Sequence, residues 1–235
     1  MCQIIGISYS KPYSWNKTWD KFRLRAAGNP DGWGVAYGDI YGLAVIKQPD
    51  RADRSPLAAA LGIVSLPAPV MIGHIRLATR GEPALVNTHP FFARAGGRDW
   101  AMVHNGHLSG YNMAFDQLGQ TDSEAFFQRL ISWLQNNDEN DPYIIAHFLA
   151  YKALETGIYG KLNILLTDGE YMFVHTNLKG SLYWIINSHG VMFCTQPLTR
   201  QKGWKPLDED RVHVFKDGEF VYRTDIYSQL KGKVV

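Results

Sequence analysis

The sequence predicts an α+β fold, in which helices pack against mostly antiparallel sheets, and three observations indicate this class. Apolar and β-branched residues typical of a buried strand open the chain in QIIGISY (3–9). Two long segments with helical spacing of apolar residues follow at 121–137 and 141–157. Strand-like segments then return over 161–223. Strands, a pair of helices and strands again favour layered α+β architecture over alternating βα units.

The first half of the chain contains further candidate strands. GWGVAYGDIYGLAVIK (32–47) has the pattern of two strands about a glycine-rich turn. MIGHIRLA (71–78) and WAMVHNGHL (100–108) are strand-like, and each ends in polar residues. The apolar stretch 57–73 is interrupted by a serine and two prolines, whereas a membrane helix needs ~20 predominantly apolar residues. This stretch therefore predicts a helix, a turn and the next strand.

The two helical segments carry recognisable start signals. In TDSEAFFQRLISWLQNN (121–137), Thr121 and Glu124 have the spacing of a capping box. In DPYIIAHFLAYKALETG (141–157), Pro142 occupies the first turn and a glycine stands at the end. Both segments are therefore expected to form capped helices.

The last third of the chain is predicted to be strand-rich. KLNILLTDG, EYMFVHTN, SLYWIIN and GVMFCTQPL have strand composition. VHVFKDGEFVYR predicts a β-hairpin, because Asp217-Gly218 suits the left-handed backbone of a two-residue turn.

Composition indicates one globular domain over residues 1–235, since no repeat, low-complexity segment or Gly/Ser linker divides the chain. A net charge of +2 without a Lys/Arg run argues against nucleic-acid binding. Cys2 and Cys194 form neither a disulfide framework nor a CxxC zinc pattern, which favours a reducing compartment. Cys194 lies in an apolar strand and is expected to be a core thiol. No signal peptide or membrane span is found, so we expect a cytoplasmic protein.

Two short polar segments follow the start of the predicted strand at 71–78. GHIRLATRGEP places Arg76 and Thr79 where a strand ends, and NTHPF follows shortly after it. A surface ion pair would by itself explain Arg76. Neither segment alone indicates a function.

Three further features also have ordinary explanations when each is taken alone. VHNG contains Asn105-Gly106, a common hairpin turn. QTDSEAFF places Asp122 in the first turn of a helix, where a carboxylate suits the helix dipole. Cys2 alone fits a small buried apolar residue.

Taken together and in this order, with a cysteine at position 2, these segments resemble the class II glutamine amidotransferases. The glutaminase domains of that family belong to the N-terminal-nucleophile hydrolases. The resemblance runs through most of the chain and includes DGWGVAY, TDSE, and VMFCTQPLT followed by WKPL. HIRLATRGEP through VHNG is similar to the glutaminase domain of glucosamine-phosphate synthase. The small size and the C-terminal part are more similar to the short stand-alone members. The resemblance implies a four-layer αββα sandwich of two mostly antiparallel sheets between helix layers.

The resemblance implies that Cys2 is the nucleophile after removal of Met1. Its own α-amine, with a pKa of ~7.7–8.0, would act as the base. The Asn105 side-chain amide and the Gly106 backbone N–H would form the oxyanion hole. Attack on the side-chain amide of glutamine would give a γ-glutamyl thioester and ammonia, and water would then release glutamate.

The resemblance also implies a binding site for the amino-acid head of glutamine. Arg76 and Thr79 would hold its α-carboxylate, and Asp122 its α-ammonium. The family often has Trp after the arginine and His after the threonine, where this chain has Leu77 and Arg80. This departure concerns the details of the pocket.

The resemblance implies no metal or organic cofactor. The expected partner is a small-molecule substrate, either glutamine or another γ-glutamyl compound. No synthase-like domain follows in the sequence, so the ammonia either passes to a separate synthase subunit or is simply released.

Three other readings stay open on the residues alone. The site could hydrolyse γ-glutamyl amides of larger compounds or peptides, since the glutamyl head would bind in the same way. The chain could instead be a non-catalytic subunit that keeps the fold. A zinc hydrolase could use His74, His89, His104 and His107, although no HExxH motif accompanies them.

Overall fold

The computed structural model describes residues 1–108, 117–157 and 160–225. Its α-helices are α1 (Asn16–Arg23), α2 (Pro56–Leu61), α3 (Asp122–Asn137) and α4 (Pro142–Gly157). Short 3₁₀ turns cover 24–28 and 85–87. The strands are β1 (Gln3–Ser14), β2 (Trp33–Asp39), β3 (Gly42–Gln48), β4 (Pro67–Ile75), β5 (Phe91–Ala95), β6 (Arg98–Leu108), β7 (Gly160–Thr167), β8 (Tyr171–Thr176), β9 (Tyr183–Asn187), β10 (Gly190–Cys194), β11 (Lys205–Pro206), β12 (Arg211–Lys216) and β13 (Glu219–Arg223).

The strands form two antiparallel sheets. The first sheet has the order β11-β9-β10-β1-β4-β2-β3, and the second has the order β13-β12-β8-β7-β6-β5. Strand β1 is the central strand of the first sheet and pairs with β10 and β4. Strand β6 pairs with β5 and β7 in the second sheet. The start of the chain is thus held in the middle of a sheet.

Within the described ranges, three apolar cores hold the elements in layers. Helices α1 and α2 cover the outer face of the first sheet through a core that contains Trp19. Helices α3 and α4 cover the outer face of the second sheet through a core that contains Phe127. The third core, with Ile4 and Leu165, lies between the two sheets. The four-layer αββα sandwich that the resemblance implied is confirmed.

The pleat of β1 decides which of its side chains face the second sheet. Ile5 and Ile7 belong to the core under α1, whereas Ile4 belongs to the core between the sheets. Gly6 also faces inward, because a Cβ there would lie 2.9 Å from Leu165 Cδ1 on β7. Since side chains alternate along a strand, Cys2 lies on the same inward face as Ile4.

Most of the predicted elements are confirmed. Both long helices occur where the sequence placed them, and the hairpin turns at Asp217 (φ 51°) and Gly218 (φ 78°). Cys194 is fully buried, as expected. The turn explanation of Asn105-Gly106 is wrong, because both residues lie inside β6.

Helix α1 and strand β5 were not predicted. Helix α1 spans only eight residues, and its N-cap, Trp15, makes no side-chain capping bond. It is held instead by Trp19 and Phe22, which are fully buried against the first sheet. Strand β5 is five residues long and is defined by its pairing with β6. Tertiary packing rather than local signal forms both elements.

None of the helices in the described ranges combines the length and the apolarity that a membrane crossing requires.

The core between the sheets is expected to carry much of the stability. Leu165→Ala should lower the free energy of unfolding by about 3–5 kcal/mol, because Leu165 is fully buried and the facing sheet cannot collapse onto the cavity. Urea unfolding followed by tryptophan fluorescence measures this. Ile186→Ala, at a strand position that is 67% exposed, is the control and should change stability by less than about 1 kcal/mol. Equal losses for the two variants would contradict the assignment of this core.

Candidate active site

The thiol of Cys2 lies where β1 begins and β4 ends. Gln3 pairs with Ile75 in the antiparallel register, so Cys2 lies opposite the residues that follow β4. Its Sγ atom is 3.3 Å from both the backbone nitrogen and the backbone oxygen of Leu77. The half-buried thiol is therefore held against the first residues of the loop after β4.

Opposing effects act on the pKa of the Cys2 thiol. Burial raises this pKa, because it disfavours the charged thiolate. The hydrogen bond from the Leu77 N–H, the positive chain terminus and the Arg76 guanidinium lower it, and burial outweighs them. The thiol therefore needs a nearby base to become a nucleophile near neutral pH.

Asn105 reaches Cys2 from the opposite sheet. Ala101 and Val103 on β6 face the core between the sheets, and the alternation of the strand gives Asn105 the same direction. The Asn105 Nδ2 donates a 2.5 Å hydrogen bond to the backbone carbonyl of Cys2. Asn105 is 1% exposed. This bond uses one of the two Nδ2 protons. The second proton is on the same nitrogen, which faces the space between the sheets.

Gly106 follows Asn105 inside β6, at a position that only glycine fits. A Cβ on Gly106 would lie 1.8 Å from the carbonyl oxygen of Lys161 on β7. It would also lie 2.6 Å from His104 Nε2. Since glycine has no side chain, the backbones of β6 and β7 can approach each other closely at this position.

Asp122 lies at the first position of α3 and ties this helix to the end of β6. Its Oδ2 accepts a 2.5 Å hydrogen bond from the Leu108 N–H, and its Oδ1 accepts a 2.8 Å bond from the Ser123 N–H. His107 Nδ1 lies 3.8 Å from Asp122 Oδ2. The carboxylate is 6% exposed, at the positive end of the helix dipole.

The predicted capping box of α3 forms only in part. The Thr121 hydroxyl accepts a 3.2 Å bond from the Glu124 N–H, as expected. The Glu124 carboxylate instead accepts bonds from the N–H groups of Leu118 and Gly119, at 2.8 and 2.7 Å. The glutamate therefore anchors the segment before the helix, because two unpaired N–H groups are within its reach there.

Arg76 is the anchor of the loop that follows β4. Its Nη1 donates to the carbonyls of Asp31 (3.3 Å) and Glu82 (3.2 Å), and its Nη2 donates to the carbonyls of Arg80 (2.8 Å) and Gly81 (2.9 Å). The side chain is 3% exposed, and burial lowers the pKa of the guanidinium. The loop thus folds around this cation, which has four carbonyl partners.

Thr79 lies in the same loop and is exposed. The loop is also held from the side by Asp31, whose Oδ2 accepts a 2.7 Å bond from the Ala78 N–H. No role was predicted for Asp31 from the sequence, although the residue begins the DGWGVAY segment. An Asp followed by Gly at the start of a strand is the signal that could have indicated a turn carboxylate there.

The structure thus brings Cys2, Asn105, Gly106 and Arg76 together at one end of the sandwich. Asp122 lies on the neighbouring helix, where it contacts β6, and Thr79 lies on the exposed side of the loop.

Two residues of β7 that sequence analysis missed also border the site. Asn163 donates a 3.1 Å hydrogen bond from Nδ2 to Asn105 Oδ1. Lys161 lies two residues earlier on the same face of β7 and is half-buried. Burial lowers the pKa of its ammonium, and the charge of Cys2 raises it. The two residues are separated by one position in KLNILLTDG, which places them on one face of a strand, but strand alternation alone does not say whether that face meets Cys2.

The buried histidines near the site are packing residues. The rings of His74 and His89 lie 4.2 Å apart between their centroids, and both side chains are enclosed. His104 Nδ1 lies 2.7 Å from the Ser123 hydroxyl and its Nε2 lies 3.2 Å from the Lys161 carbonyl. In the described residues, no group of three His, Cys, Asp or Glu side chains is arranged to hold a metal ion.

Solved structures share this fold. A predicted glutamine amidotransferase from Pseudomonas aeruginosa PA01 superposes with a TM-score of 0.70 at 23% identity, covering 94% of this chain and 100% of that one. Glutamine phosphoribosylpyrophosphate amidotransferase from B. subtilis, complexed with ADP and GMP, superposes with a TM-score of 0.60 at 14% identity. The match covers 96% of this chain and 49% of the B. subtilis chain. The chain therefore shares the fold of these two amidotransferases.

Sequence comparison is more specific. Residues 1–189 match the family model described as class-II glutamine amidotransferases, and the chain belongs to this family. It is also 29% identical over 256 residues to the putative glutamine amidotransferase YafJ of Escherichia coli (strain K12), with 94% of this chain and 100% of YafJ covered.

The anchoring role of Arg76 can be tested by Arg76→Lys. A lysine ammonium cannot reach four carbonyls in the planar arrangement that the guanidinium uses. We expect a loss of about 1–3 kcal/mol in the free energy of unfolding and faster cleavage of the loop after β4 by trypsin or thermolysin. Arg80→Lys, at an exposed side chain of the same loop, is the matched control. Unchanged loop cleavage in Arg76→Lys would contradict the anchoring role.

The enclosed histidines predict a steep loss of stability in acid. Burial lowers the pKa of His74 to about 3 and the pKa values of His175 and His213 to about 4. Above the unfolded pKa of ~6.5 these groups are neutral in both states, so they impose no penalty. Below it the unfolded chain takes up protons that the folded chain excludes, and stability falls by roughly 1.4 kcal/mol per pH unit for each group.

Urea unfolding between about pH 7 and about pH 5 measures this slope. His74→Gln should reduce the slope of stability against pH by roughly 1.4 kcal/mol per pH unit, the contribution of one proton, because glutamine does not titrate in this range. A stability that stays level over this interval would contradict the prediction.

Proposed function

We propose that the protein is a glutamine-type amidohydrolase in which Cys2, after removal of Met1, is the N-terminal nucleophile. One observation carries the proposal: the Asn105 amide of the second sheet donates a hydrogen bond to Cys2 at the start of the first sheet. The proposed nucleophile and oxyanion donor therefore lie side by side. Met1 is 70% exposed, which supports its accessibility to an aminopeptidase.

The proposed reaction has two stages. In the first, the Cys2 α-amine takes the thiol proton, and sulfur attacks the side-chain amide carbon of glutamine. The second Nδ2 proton of Asn105 and the Gly106 N–H stabilise the negative charge on the amide oxygen. The α-amine then gives its proton to the departing nitrogen, so ammonia leaves and a γ-glutamyl thioester remains. In the second stage, water attacks the thioester, glutamate is released and the thiol is restored.

The burial of the thiol explains why the α-amine is needed. Burial raises the pKa of Cys2, so the free thiolate is scarce near neutral pH. An amine with a pKa of ~7.7–8.0 on the same residue supplies a nearby base. While Met1 is attached, the Cys2 nitrogen is an amide and cannot act as this base.

The proposed substrate site uses Arg76 and Thr79 for the α-carboxylate and Asp122 for the α-ammonium. The four Nη protons of Arg76 already bind backbone carbonyls, three of them in the loop after β4. A carboxylate that binds these protons must therefore replace some of the carbonyls, and the loop must shift as glutamine enters. Asp122 likewise would share its oxygens between β6 and the ammonium.

The ammonia has two proposed fates. The match to the B. subtilis amidotransferase covers 49% of that chain, so the relative carries a second part that this match leaves uncovered. By analogy, a separate ammonia-using protein would serve this chain, or the ammonia would be released. A cytoplasmic location suits the proposal, because Cys2 and Cys194 are both free thiols.

Intact-mass spectrometry of untagged protein, before and after incubation with the glutamine analogue 6-diazo-5-oxonorleucine, tests the proposal. The expected result is a mass lacking Met1 and one adduct. Cys2→Ala should form no adduct and should lose at least about 10³-fold in glutamine hydrolysis. Cys194→Ser is the matched control and should keep the adduct, since Cys194 is fully buried away from the interlayer site.

Other outcomes would redirect the proposal. A processed chain without an adduct, but with hydrolysis of γ-glutamyl peptides, would replace glutamine by larger γ-glutamyl amides. A processed chain inactive on both would favour a non-catalytic subunit. Retention of Met1 in protein from the native cell would exclude the N-terminal nucleophile.

A further inference from the structure

A row of buried amides leads from the segment after β8 to the candidate nucleophile. Asn163 on β7 donates from Nδ2 to the backbone carbonyl of Ser181 (2.9 Å) and to Asn105 Oδ1 (3.1 Å). Asn105 in turn donates from Nδ2 to the backbone carbonyl of Cys2 (2.5 Å). Asn163 is fully buried and Asn105 is 1% exposed. We call this row, from Ser181 through Asn163 and Asn105 to Cys2, the amide relay.

Both ends of the amide relay are backbone carbonyls, which can only accept hydrogen bonds. The Ser181 carbonyl therefore requires the NH₂ group of Asn163 on its side, and the remaining Asn163 proton points at Asn105. That proton requires the oxygen of Asn105 on the Asn163 side. The NH₂ group of Asn105 must then face Cys2. Each amide has one orientation that satisfies all partners, although N and O have nearly the same shape.

The other end of the Asn163 side chain is held by two hydroxyl groups. Its Oδ1 lies 2.6 Å from the Thr176 Oγ1 and 2.9 Å from the Ser181 Oγ, and both hydroxyls can donate to it. Thr176 is fully buried. These contacts oppose rotation of the Asn163 amide, because a flipped amide would turn its NH₂ group toward the hydroxyls and its oxygen toward the Ser181 carbonyl.

We infer that Asn163 is a positioning residue, which holds the Asn105 amide with its NH₂ group toward the nucleophile. The inference rests on the proposed function, in which Asn105 stabilises the oxyanion. Asn163 itself does not touch the reacting atoms. Without its donated hydrogen bond, the Cys2 carbonyl alone opposes rotation of the Asn105 amide. In a flipped amide the oxygen would face both the Cys2 carbonyl and the developing oxyanion.

Asn163→Asp is the most informative substitution, because it keeps the shape and removes the donor. The ionised carboxylate only accepts hydrogen bonds, so it repels the Ser181 carbonyl and favours the flipped Asn105. The expected loss in kcat is about 10²–10³-fold, the cost of one oxyanion donor, with KM changed by less than about threefold.

The pH profile separates this role from a general structural defect. Burial should raise the pKa of the carboxyl group that Asn163→Asp introduces, and its protonated form can again donate one hydrogen bond. The ratio of kcat for this variant to kcat for wild type should therefore increase as pH falls. Asn163→Leu, which never donates, should show a low ratio that does not change with pH.

Asn177→Asp is the matched control, since it makes the same chemical change beside the same strand. Asn177 donates from Nδ2 to the Gly160 carbonyl (2.8 Å) and accepts from the Leu162 N–H (2.8 Å). It is not part of the amide relay. Its kcat should stay within about threefold of wild type. An Asn163→Asp kcat within the same range at every pH would overturn the inference.

A measurement without catalysis keeps the inference testable if the proposed function fails. Urea unfolding of wild type, Asn105→Ala, Asn163→Ala and the double variant forms a double-mutant cycle. The amide relay predicts that the two losses of stability are not additive, because each substitution removes the same hydrogen bond. Additive losses would overturn the amide relay. Non-additive losses in a protein that forms no adduct with 6-diazo-5-oxonorleucine and hydrolyses neither glutamine nor γ-glutamyl peptides would retain the relay and reject the proposed function.

Discussion

The hydrogen bond from the Asn105 amide to the Cys2 carbonyl connects the two sheets at the candidate site. It joins residues 103 positions apart in the chain, and it can form only if both strands present their inward faces at this end of the sandwich. The core between the sheets, with Ile4, Val103 and Leu165, sets that spacing. The sandwich therefore serves the site by holding one short polar contact between two apolar layers.

Burial has a different consequence for each polar group around this contact. It raises the pKa of the Cys2 thiol and lowers the pKa values of the neighbouring cations and imidazoles, because charged forms are disfavoured away from water. Arg76 remains charged by binding four backbone carbonyls, so the loop after β4 is built around it. In the proposed mechanism the base is the Cys2 α-amine, which is created by removal of Met1 and not by folding. In the proposed mechanism the site is thus prepared structurally before it is activated chemically.

Local signals in the sequence predicted the elements that are stable on local grounds. Helix α3 begins where Thr121 caps it, and the β12–β13 hairpin turns at Asp217-Gly218 because that pair tolerates positive φ. Local signals failed where packing decides. Helix α1 has no capping side chain and depends on buried aromatic residues, and Asn105-Gly106 continues β6 because β7 pairs with it on one side. Glu124 likewise binds the N–H groups that the folded chain brings to it.

By itself the sequence determined the α+β class, the limits of the long helices and most strands, and the family through the order of its motifs and a cysteine at position 2. These properties depend on neighbours within a few residues or on the order of segments along the chain. Tertiary structure alone decided which side chains meet. Asn163 reaches Asn105 across 58 positions, and the guanidinium of Arg76 faces carbonyls rather than a carboxylate. The physical reason is register: side chains alternate between the faces of a strand, and only the pairing of strands and sheets determines which face meets which partner.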